Sequence, residues 1–387
     1  MNLLNNNPAH KPSVGEFFAG LDGLRGIAVL SVVIGHTVYF NPGSSAFQHL
    51  LLSASKAGGL GVQIFFVLSG FLISYTVIKS SARFDPFAYV VRRAAKIYPP
   101  FLLSVAVFAP LAFYWRGVDR LWSSAGSYLL GIANFTDGWT DINSVYWSLM
   151  VELHFYLVLP LIYFGLKKLT FHAEWATFCF FLLVPAALRF SHYGAIFACG
   201  GDMKAWNFQA HMFPRALDNF ALGILFSILF QQSGKRGALE KIAPVLANTG
   251  AILLVVIYVS YTALDYSFGI TGKPIAVTYE LFCYFPAIAT FLLLFVVLLP
   301  PTAVLQRFLS SRVLGGIGII SYEWFLFHYP PTEFIQKMLG KSNGSTGIYL
   351  AKTLLPFVGT LLASALIYGF YSAPILSITR KLLRKRS

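Results

Sequence analysis

The sequence predicts an all-α, polytopic integral membrane protein with about ten transmembrane helices, and three observations support this fold class. Hydrophobic residues make up 57% of the 387 residues and charged residues only 11%, whereas soluble proteins carry about 25% charged residues. The mean hydropathy is +0.67. Apolar runs near the length of about 20 residues that a membrane span requires recur along the whole chain. Much of the protein surface must therefore face lipid.

Ten segments are apolar and long enough to cross a bilayer, and they predict a single transmembrane domain over residues 1–378 without an appended soluble domain. The ten segments are residues 22–40, 60–79, 95–115, 146–166, 173–190, 214–231, 247–264, 279–299, 315–337 and 349–374. The segment 315–337 is the least regular, because it contains Glu323, His328 and two prolines. Residues 121–135 are too short to span and are expected to lie along the membrane interface.

Basic residues predict the orientation of the chain. The net charge is +14. Most Lys and Arg side chains lie in every second loop, so that they share one side of the membrane, as the positive-inside rule requires. The positive charge is therefore explained by membrane orientation and does not indicate nucleic-acid binding. Both termini are expected on the cytoplasmic side of the membrane, with residues 379–387 as a basic tail. Because the polar first 20 residues lack the pattern of a cleavable signal peptide, the first apolar segment is expected to remain as a helix.

Metal chemistry is not predicted. The three cysteines, Cys179, Cys199 and Cys283, are far apart in the sequence, and no Cys/His spacing typical of a zinc site occurs. No HExxH motif is present either. We therefore expect no metal cofactor.

The first helix carries the most informative ionisable residues. Its segment LDGLRGIAVLSVVIGH contains Asp22, Arg25 and His36, and ionisable side chains within spans are costly and are functional candidates. Arg25 and His36 are eleven residues apart, so they lie on nearly the same helix face, about 16 Å apart along the axis. A cation near one mouth and an imidazole deep in the membrane define a path for a long ligand with an anionic head. The alternative is that Arg25 snorkels to the surface while His36 hydrogen-bonds a neighbouring helix.

The next two helices offer a packing site and an anion site. Ser69 and Gly70 lack the G-x-S-x-G context of a nucleophile elbow, so they are interpreted as small residues for helix packing. Arg92, Arg93 and Lys96 open the third helix, whose N-terminal dipole favours phosphate. A loop that obeys the positive-inside rule would look equally basic.

Later helices contain further ionisable candidates. Glu152 lies within the fourth helix and is expected to pair with a buried Arg or His, in either a structural or a catalytic role. Arg215 and Asp218 have ion-pair spacing, which favours a structural interpretation. His328 precedes a proline pair, where the ninth helix is expected to break.

Six segments together resemble a known family. They are LDGLRGIAVLSVVIGH, GVQIFFVLSGFLIS, RRAAKIYPP, VYWSLMVELHFY, PRALDNFALGILFS and GIISYEWFLFHYP. In order and content they are similar to the successive motifs of the membrane-bound acyltransferase 3 family, over roughly residues 20–332. The resemblance implies ten core helices, a cytoplasmic acyl-CoA donor, usually acetyl-CoA, and O-acylation of a carbohydrate such as lipopolysaccharide, another surface polysaccharide or a lipid-linked saccharide.

The resemblance also assigns roles to residues of this chain. It maps the Arg-x10-His signature of the family onto Arg25 and His36, and the intramembrane Glu onto Glu152. It maps the basic motif onto Arg92, Arg93 and Lys96, and the late His onto His328. Two positions depart from the family pattern. Lys96 replaces the usual arginine, which weakens bidentate phosphate contact, and Glu323 stands where an apolar or small residue is commoner.

A mechanism follows as a hypothesis. The four basic residues of the first and third helices would hold the CoA phosphates, and His36 would act as general base or would accept the acyl group itself. Glu152 or Asp22 would orient the imidazole. Candidates for substrate contact or structural support are His328, Tyr322, Glu323 and Arg215.

Other functions remain open at this point. Ten helices with buried charges would also suit a proton-coupled transporter, although matched broken helices in two halves are not evident. A non-catalytic scaffold in a glycan-export complex is a further alternative. Within the enzyme class, the donor could be succinyl-CoA or the acceptor a small secondary metabolite. The sequence leaves a homodimer open.

Overall fold

A computed structural model describes residues 19–38, 46–117, 121–136, 141–198, 213–232, 236–268, 276–300, 302–340 and 346–386. These residues form helices and no strand. The α-helices are α1 (Ala19–Thr37), α2 (Ala46–Lys56), α3 (Gly61–Lys79), α4 (Pro86–Arg116), α5 (Leu121–Leu129), α6 (Tyr146–Lys167), α7 (Ala173–Ala198), α8 (Phe213–Gln231), α9 (Arg236–Phe268), α10 (Ala276–Leu293), α11 (Val304–Leu309), α12 (Arg312–Ile319), α13 (Ser321–Phe327), α14 (Tyr329–Met338), α15 (Thr346–Ile367) and α16 (Ala373–Arg386).

The all-α membrane fold is confirmed, because every predicted span overlaps a helix. Among the described residues, five stretches are long and apolar enough to cross a membrane by length and composition. They are Ala46–Lys79, Pro86–Trp115, Tyr146–Lys167, Gly237–Ser267 and Gly347–Lys385. Several shorter apolar helices accompany them. The protein is therefore polytopic, and the number of ten spans stays a prediction.

Helix α1 lies at the centre of the site-forming helices, in contact with α3, α12, α13, α14 and α15. Its backbone touches α12 where Gly318 faces Asp22. A Cβ atom on Gly318 would lie 1.8 Å from the Asp22 carbonyl oxygen, so only glycine permits this approach. Small residues at helix crossings are typical of membrane proteins.

A second close contact joins α3 to α8. A Cβ on Gly70 would lie 2.4 Å from the Phe220 carbonyl oxygen, and one on Gly223 would lie 2.2 Å from the Val67 carbonyl oxygen. The packing role predicted for Gly70 is thus confirmed, because both backbones meet at this point. The crossing fixes the face of α3 that carries Ser69.

The predicted span 315–337 is not one helix, and proline is the reason. It is divided into α12, α13 and α14, with interruptions at Ile320 and His328. Pro330 has no N–H to donate to the Leu326 carbonyl one turn earlier. The Asn143 side-chain amide donates to that carbonyl instead, at 2.9 Å. The break predicted at His328 is confirmed.

Helix α2 was not among the predicted elements. It is amphipathic and contains the buried Ser53 and Ser55, so a criterion of continuous apolar length overlooks it. Its last residue, Lys56, forms an ion pair at 3.0 Å with the buried Asp265 of α9. A short 3₁₀ turn, Ala57–Leu60, then leads into α3.

Candidate active site

Two histidines from opposite parts of the chain meet beside the end of α1. Nδ1 of His36 lies 3.0 Å from Nε2 of His328. His328 is fully buried, whereas the His36 ring is partly exposed. The Tyr329 ring packs edge-on against His36, with the ring centroids 5.0 Å apart. The helix break before Pro330 is what turns His328 toward α1.

Backbone carbonyls determine which nitrogens carry protons in this pair. Nδ1 of His328 lies 2.8 Å from the Phe325 oxygen and 3.1 Å from the Trp324 oxygen. Because a carbonyl only accepts hydrogen bonds, Nδ1 of His328 carries the proton and its Nε2 is an acceptor in the neutral ring. Nδ1–H of His36 then donates to it. The neutral His36 ring therefore keeps an unshared electron pair on Nε2.

The end of α1 is held in place by α14. Carbonyl groups in the last turn of a helix have no partner within the helix. The amide nitrogen of Gln336 lies 3.4 Å from the carbonyl oxygens of both His36 and Thr37. The same short helix that follows His328 thus also fixes the backbone of His36.

A cavity opens beside the His36 ring, which we name the histidine cavity. Its lining residues come from α1, α3, α13 and the start of α6, and they are Val32, His36, Val62, Ser144, Val145, Trp147 and Phe325. Apart from His36, polar side chains are few. A ligand in this cavity would contact the His36 imidazole.

A second cavity, the charged cavity, lies toward the N-terminal end of α1. Its charged and hydroxylated lining residues are Arg25, Ser69, Lys96, Ser148, Glu152, Tyr156, Ser321 and Tyr322. Arg25 and Lys96 bring two cations from different helices into one intramembrane space. Such groups are retained inside membranes where they serve a polar pathway.

Val62 and Phe325 line both cavities. The Phe325 ring also packs edge-on against Phe65, with the centroids 6.1 Å apart. These side chains are the apolar barrier between the charged cavity and the histidine cavity. Arg25 and His36 therefore face two adjacent compartments along one helix.

The structure separates Asp22 from His36, although Asp22 was one of two residues expected to orient the imidazole. Asp22 accepts a hydrogen bond from Arg25 at 2.9 Å, one turn away on α1. It lies fourteen residues before His36, a rise of about 21 Å, so it does not orient the imidazole. His328, and neither Asp22 nor Glu152, contacts the His36 ring.

Glu152 binds hydroxyl groups. Ser69 of α3 and Tyr156, one turn on in α6, both donate to its Oε1 atom. Among the described side chains, Glu152 has no ion pair with an arginine or histidine, contrary to expectation. The Arg93 guanidinium lies 5.5 Å from the centre of the Tyr156 ring. Ser69, interpreted from sequence as a packing residue, is instead a hydrogen-bond partner within the cavity.

The predicted basic motif is divided between two neighbouring pockets. Lys96 lines the charged cavity, whereas Arg93 stacks on Tyr89 and Tyr156. Arg92 faces a separate groove at the start of α4. Arg93, three residues before Lys96 on α4, lies beside Tyr156, which lines the same cavity as Lys96.

The remaining candidates have defined places or lie outside the description. Tyr322 lines the charged cavity and donates to the Ile97 carbonyl at 3.0 Å. Glu323 is buried. Asp218 accepts a hydrogen bond from Tyr284 at 2.6 Å, while the side chain of Arg215 lies outside the described residues.

Sequence reasoning missed three residues of the site. Tyr156 is four residues from Glu152, and this spacing could have identified it. Asn143 gave no signal in the sequence, because its partner, the Leu326 carbonyl, lies 183 residues away. Ser69 gave no such signal, since its partner Glu152 lies 83 residues away in the sequence.

Comparisons with known proteins find O-acetyltransferases among the relatives of this chain. The O-acetyltransferase OatA of Staphylococcus aureus (strain NCTC 8325) is 25% identical over 380 residues, covering 93% of this chain and 57% of the relative. A putative O-acetyltransferase of strain MRSA252 is 24% identical over 388 residues, covering 96% and 59%. The chain thus spans less than three fifths of the length of these curated relatives. No solved structure matches the chain.

The family assignment rests on most of the chain. A family model described as an acyltransferase domain matches residues 18–369. This range contains both histidines, both cavities and all six sequence motifs. The chain therefore belongs to the acyltransferase 3 family of bacterial membrane proteins.

Proposed function

We propose that this protein is an O-acyltransferase that moves an acetyl group from acetyl-CoA to a hydroxyl of a surface polysaccharide or lipid-linked saccharide. The observation that carries the proposal is the His36–His328 pair, with Nε2 of His36 left basic beside a cavity. The names of the curated relatives, which are O-acetyltransferases, support the same chemistry. Succinyl-CoA and a small hydroxylated acceptor are the alternatives within this class.

His36 is the catalytic residue of the proposal. Its Nε2 electron pair removes the proton of the acceptor hydroxyl as general base while the hydroxyl oxygen attacks the thioester carbonyl, or Nε2 itself first attacks that carbonyl as nucleophile. In both cases the thioester C–S bond breaks, the hydroxyl proton ends on the CoA sulfur, and CoA leaves as the thiol. Either role requires the neutral ring and the proton on Nδ1. His328 acts through His36, because it holds the ring in that tautomer and stabilises the imidazolium that forms.

The charged cavity fits the donor end of the reaction. An acyl-CoA supplies an acyl group activated as a thioester and carries its phosphates at the far end of a long arm. Arg25 offers a cation about 16 Å from His36 along α1, and Lys96 of α4 adds a second cation to the same cavity. Nε of Arg93 is buried and has no hydrogen-bond partner among the described residues, which leaves a donor available near Tyr156.

The orientation predicted from the basic residues would put the donor end on the cytoplasmic side, where CoA is made. The basic residues predict both termini on the cytoplasmic side of the bacterial inner membrane. Arg25, near the start of α1, would then lie close to the cytoplasmic face. His36 would lie deeper, toward the acceptor.

The test is made in the source bacterium. A strain lacking the gene is complemented with wild type or with His36→Ala, and ester-linked acetate is released from envelope glycans by mild base. Wild type is expected to restore the acetate and His36→Ala to leave it absent at equal protein abundance. If His36→Ala restores it fully, the catalytic assignment is wrong. If wild type alters succinate and not acetate, the donor is succinyl-CoA.

A further inference from the structure

A groove lined by four arginines lies between the start of α4 and the C-terminal helix α16. The arginines are Arg83, Arg92, Arg380 and Arg384, and the groove also contains Ser80 and Asp85. Its volume is about 390 Å³, within the range of roughly 300–1,000 Å³ that small-molecule sites occupy. We name it the arginine groove.

The excess of arginine over carboxylate in this groove favours an anionic ligand. Four guanidiniums share it with one carboxylate, Asp85, whose Oδ1 already accepts a hydrogen bond from the Ala88 backbone N–H at the start of α4. Like charges gathered in one groove repel one another. A phosphate-bearing ligand would relieve this repulsion with charge-assisted, bidentate hydrogen bonds, which arginine makes better than lysine.

Helix lengths place the groove at the membrane surface. Helix α4 has 31 residues, or about 46 Å, and the stretch Gly347–Lys385 has 39 residues, or about 60 Å. A bilayer core is only about 30 Å thick. Both helices therefore project beyond it, and their charged ends meet at a depth that a water-soluble ligand can reach.

The chain directs Arg380 and Arg384 toward α4 by local structure. A π-helical turn, Tyr368–Ser372, separates α15 from α16 and rotates the residues that follow relative to a continuous α-helix. Arg380 and Arg384 are four residues apart and so share one face. That face packs on α4.

The groove is adjacent to the charged cavity. Arg92 lies in the groove and Lys96 in the cavity, one turn apart on the same face of α4, a rise of about 6 Å. A ligand whose phosphates occupy the groove can thus extend a neutral arm past Lys96 and Arg25 toward His36. Free inorganic phosphate or a lipid headgroup would not use this continuity.

We propose that the arginine groove binds the phosphate groups of the CoA moiety and that Arg380 and Arg384, from the C-terminal helix, are specific donor-binding residues. This inference rests on the proposed function, because CoA is the donor there. It assigns a ligand to residues that the sequence suggested only as a topological tail.

Binding of CoA to the purified full chain in phosphatidylcholine nanodiscs tests the proposal without needing turnover. The variant Arg380→Gln/Arg384→Gln is compared with Lys381→Gln/Lys385→Gln, which removes the same charge from the same helix outside the groove. The first is expected to weaken CoA binding at least about tenfold, as loss of charge-assisted hydrogen bonds does. The second is expected to change it less than twofold.

Three results would overturn the assignment. If both double variants weaken CoA binding equally, the total positive charge of α16 attracts CoA and the groove does not bind it specifically. If neither weakens it, the groove does not hold the donor. If wild type binds no CoA but retains phosphatidylglycerol in a manner that Arg380→Gln/Arg384→Gln abolishes, the ligand is an anionic lipid. Groove-dependent CoA binding by a protein that never transfers acetate would instead refute the proposed function and leave the groove assignment standing.

Discussion

Nδ1 of His36 and Nε2 of His328 lie 3.0 Å apart, although 292 residues separate the two histidines in the sequence. The Phe325 and Trp324 carbonyls fix the proton on the far side of His328. This chain of hydrogen bonds puts the proton of neutral His36 on Nδ1 and leaves the unshared electron pair on Nε2. A backbone break thus sets the protonation pattern of a side chain on another helix.

The Asn143 side chain stabilises the helix break by donating to the Leu326 carbonyl. A double-mutant cycle of Asn143 and Pro330 tests this role. Asn143→Ala leaves the Leu326 carbonyl without a donor and is expected to destabilise the protein by about 1–3 kcal/mol and to lower activity. Pro330→Ala restores a backbone N–H that can bind the same carbonyl. The double variant should therefore be more stable than the sum of the single effects predicts, measured by thermal unfolding in detergent. Strict additivity would contradict the account.

Removal of the Glu152 charge is expected to impair catalysis. Glu152→Gln keeps the shape of the side chain but weakens the acceptor of the Ser69 and Tyr156 hydroxyls, both of which donate to it. We expect kcat/KM for acetyl-CoA to fall by about tenfold or more, as loss of a hydrogen bond to a charged group implies. Glu240→Gln, on the exposed part of α9, is the matched control. An unchanged kcat/KM would remove Glu152 from the site.

The apolar barrier between the cavities predicts a leaking variant. Phe325→Ala removes a ring that lines both cavities, so water and the thioester should meet more readily. Release of CoA thiol in the absence of acceptor is expected to rise several-fold. Phe327→Ala is the control, because Phe327 packs on Phe108 and lines neither cavity. If both variants release CoA thiol at the wild-type rate, Phe325 is not part of the barrier.

The crossing of α3 and α8 should not tolerate a methyl group. Gly223→Ala places Cβ 2.2 Å from the Val67 carbonyl oxygen, and overpacking of this kind costs about 1–3 kcal/mol. The thermal unfolding temperature should drop. Gly165→Ala, in the membrane helix α6, meets nothing within 4 Å and should be neutral. Equal behaviour of the two variants would mean that the helices can separate without cost.

Much of the fold could be predicted, because long apolar helices follow directly from composition and hydropathy. The division of the span 315–337 was partly predictable from Pro330 and Pro331. Helix α2 was not, because its serines interrupt the apolar run. Its burial depends on contacts with α9 that no local pattern encodes.

The site was predictable where one helix carried the signal. The Arg25–His36 face needed only helical periodicity. The partners of His36 and Glu152 come from other helices, so their identity depends on tertiary packing. The hypothesis that Asp22 orients His36 is wrong, because fourteen residues of helix, a rise of about 21 Å, separate the two side chains.

The rate of acetyl transfer by reconstituted protein tests the histidine pair most directly. Labelled acetyl-CoA is supplied to purified variants with membranes of the gene-deletion strain as the source of acceptor. His36→Gln is expected to lower kcat by about a thousandfold, within the range of general acid–base catalysis. His328→Gln should lower kcat less and leave KM for acetyl-CoA unchanged, and the exposed control His172→Gln should match wild type. Near-normal kcat for His36→Gln, at equal folding, would contradict the account.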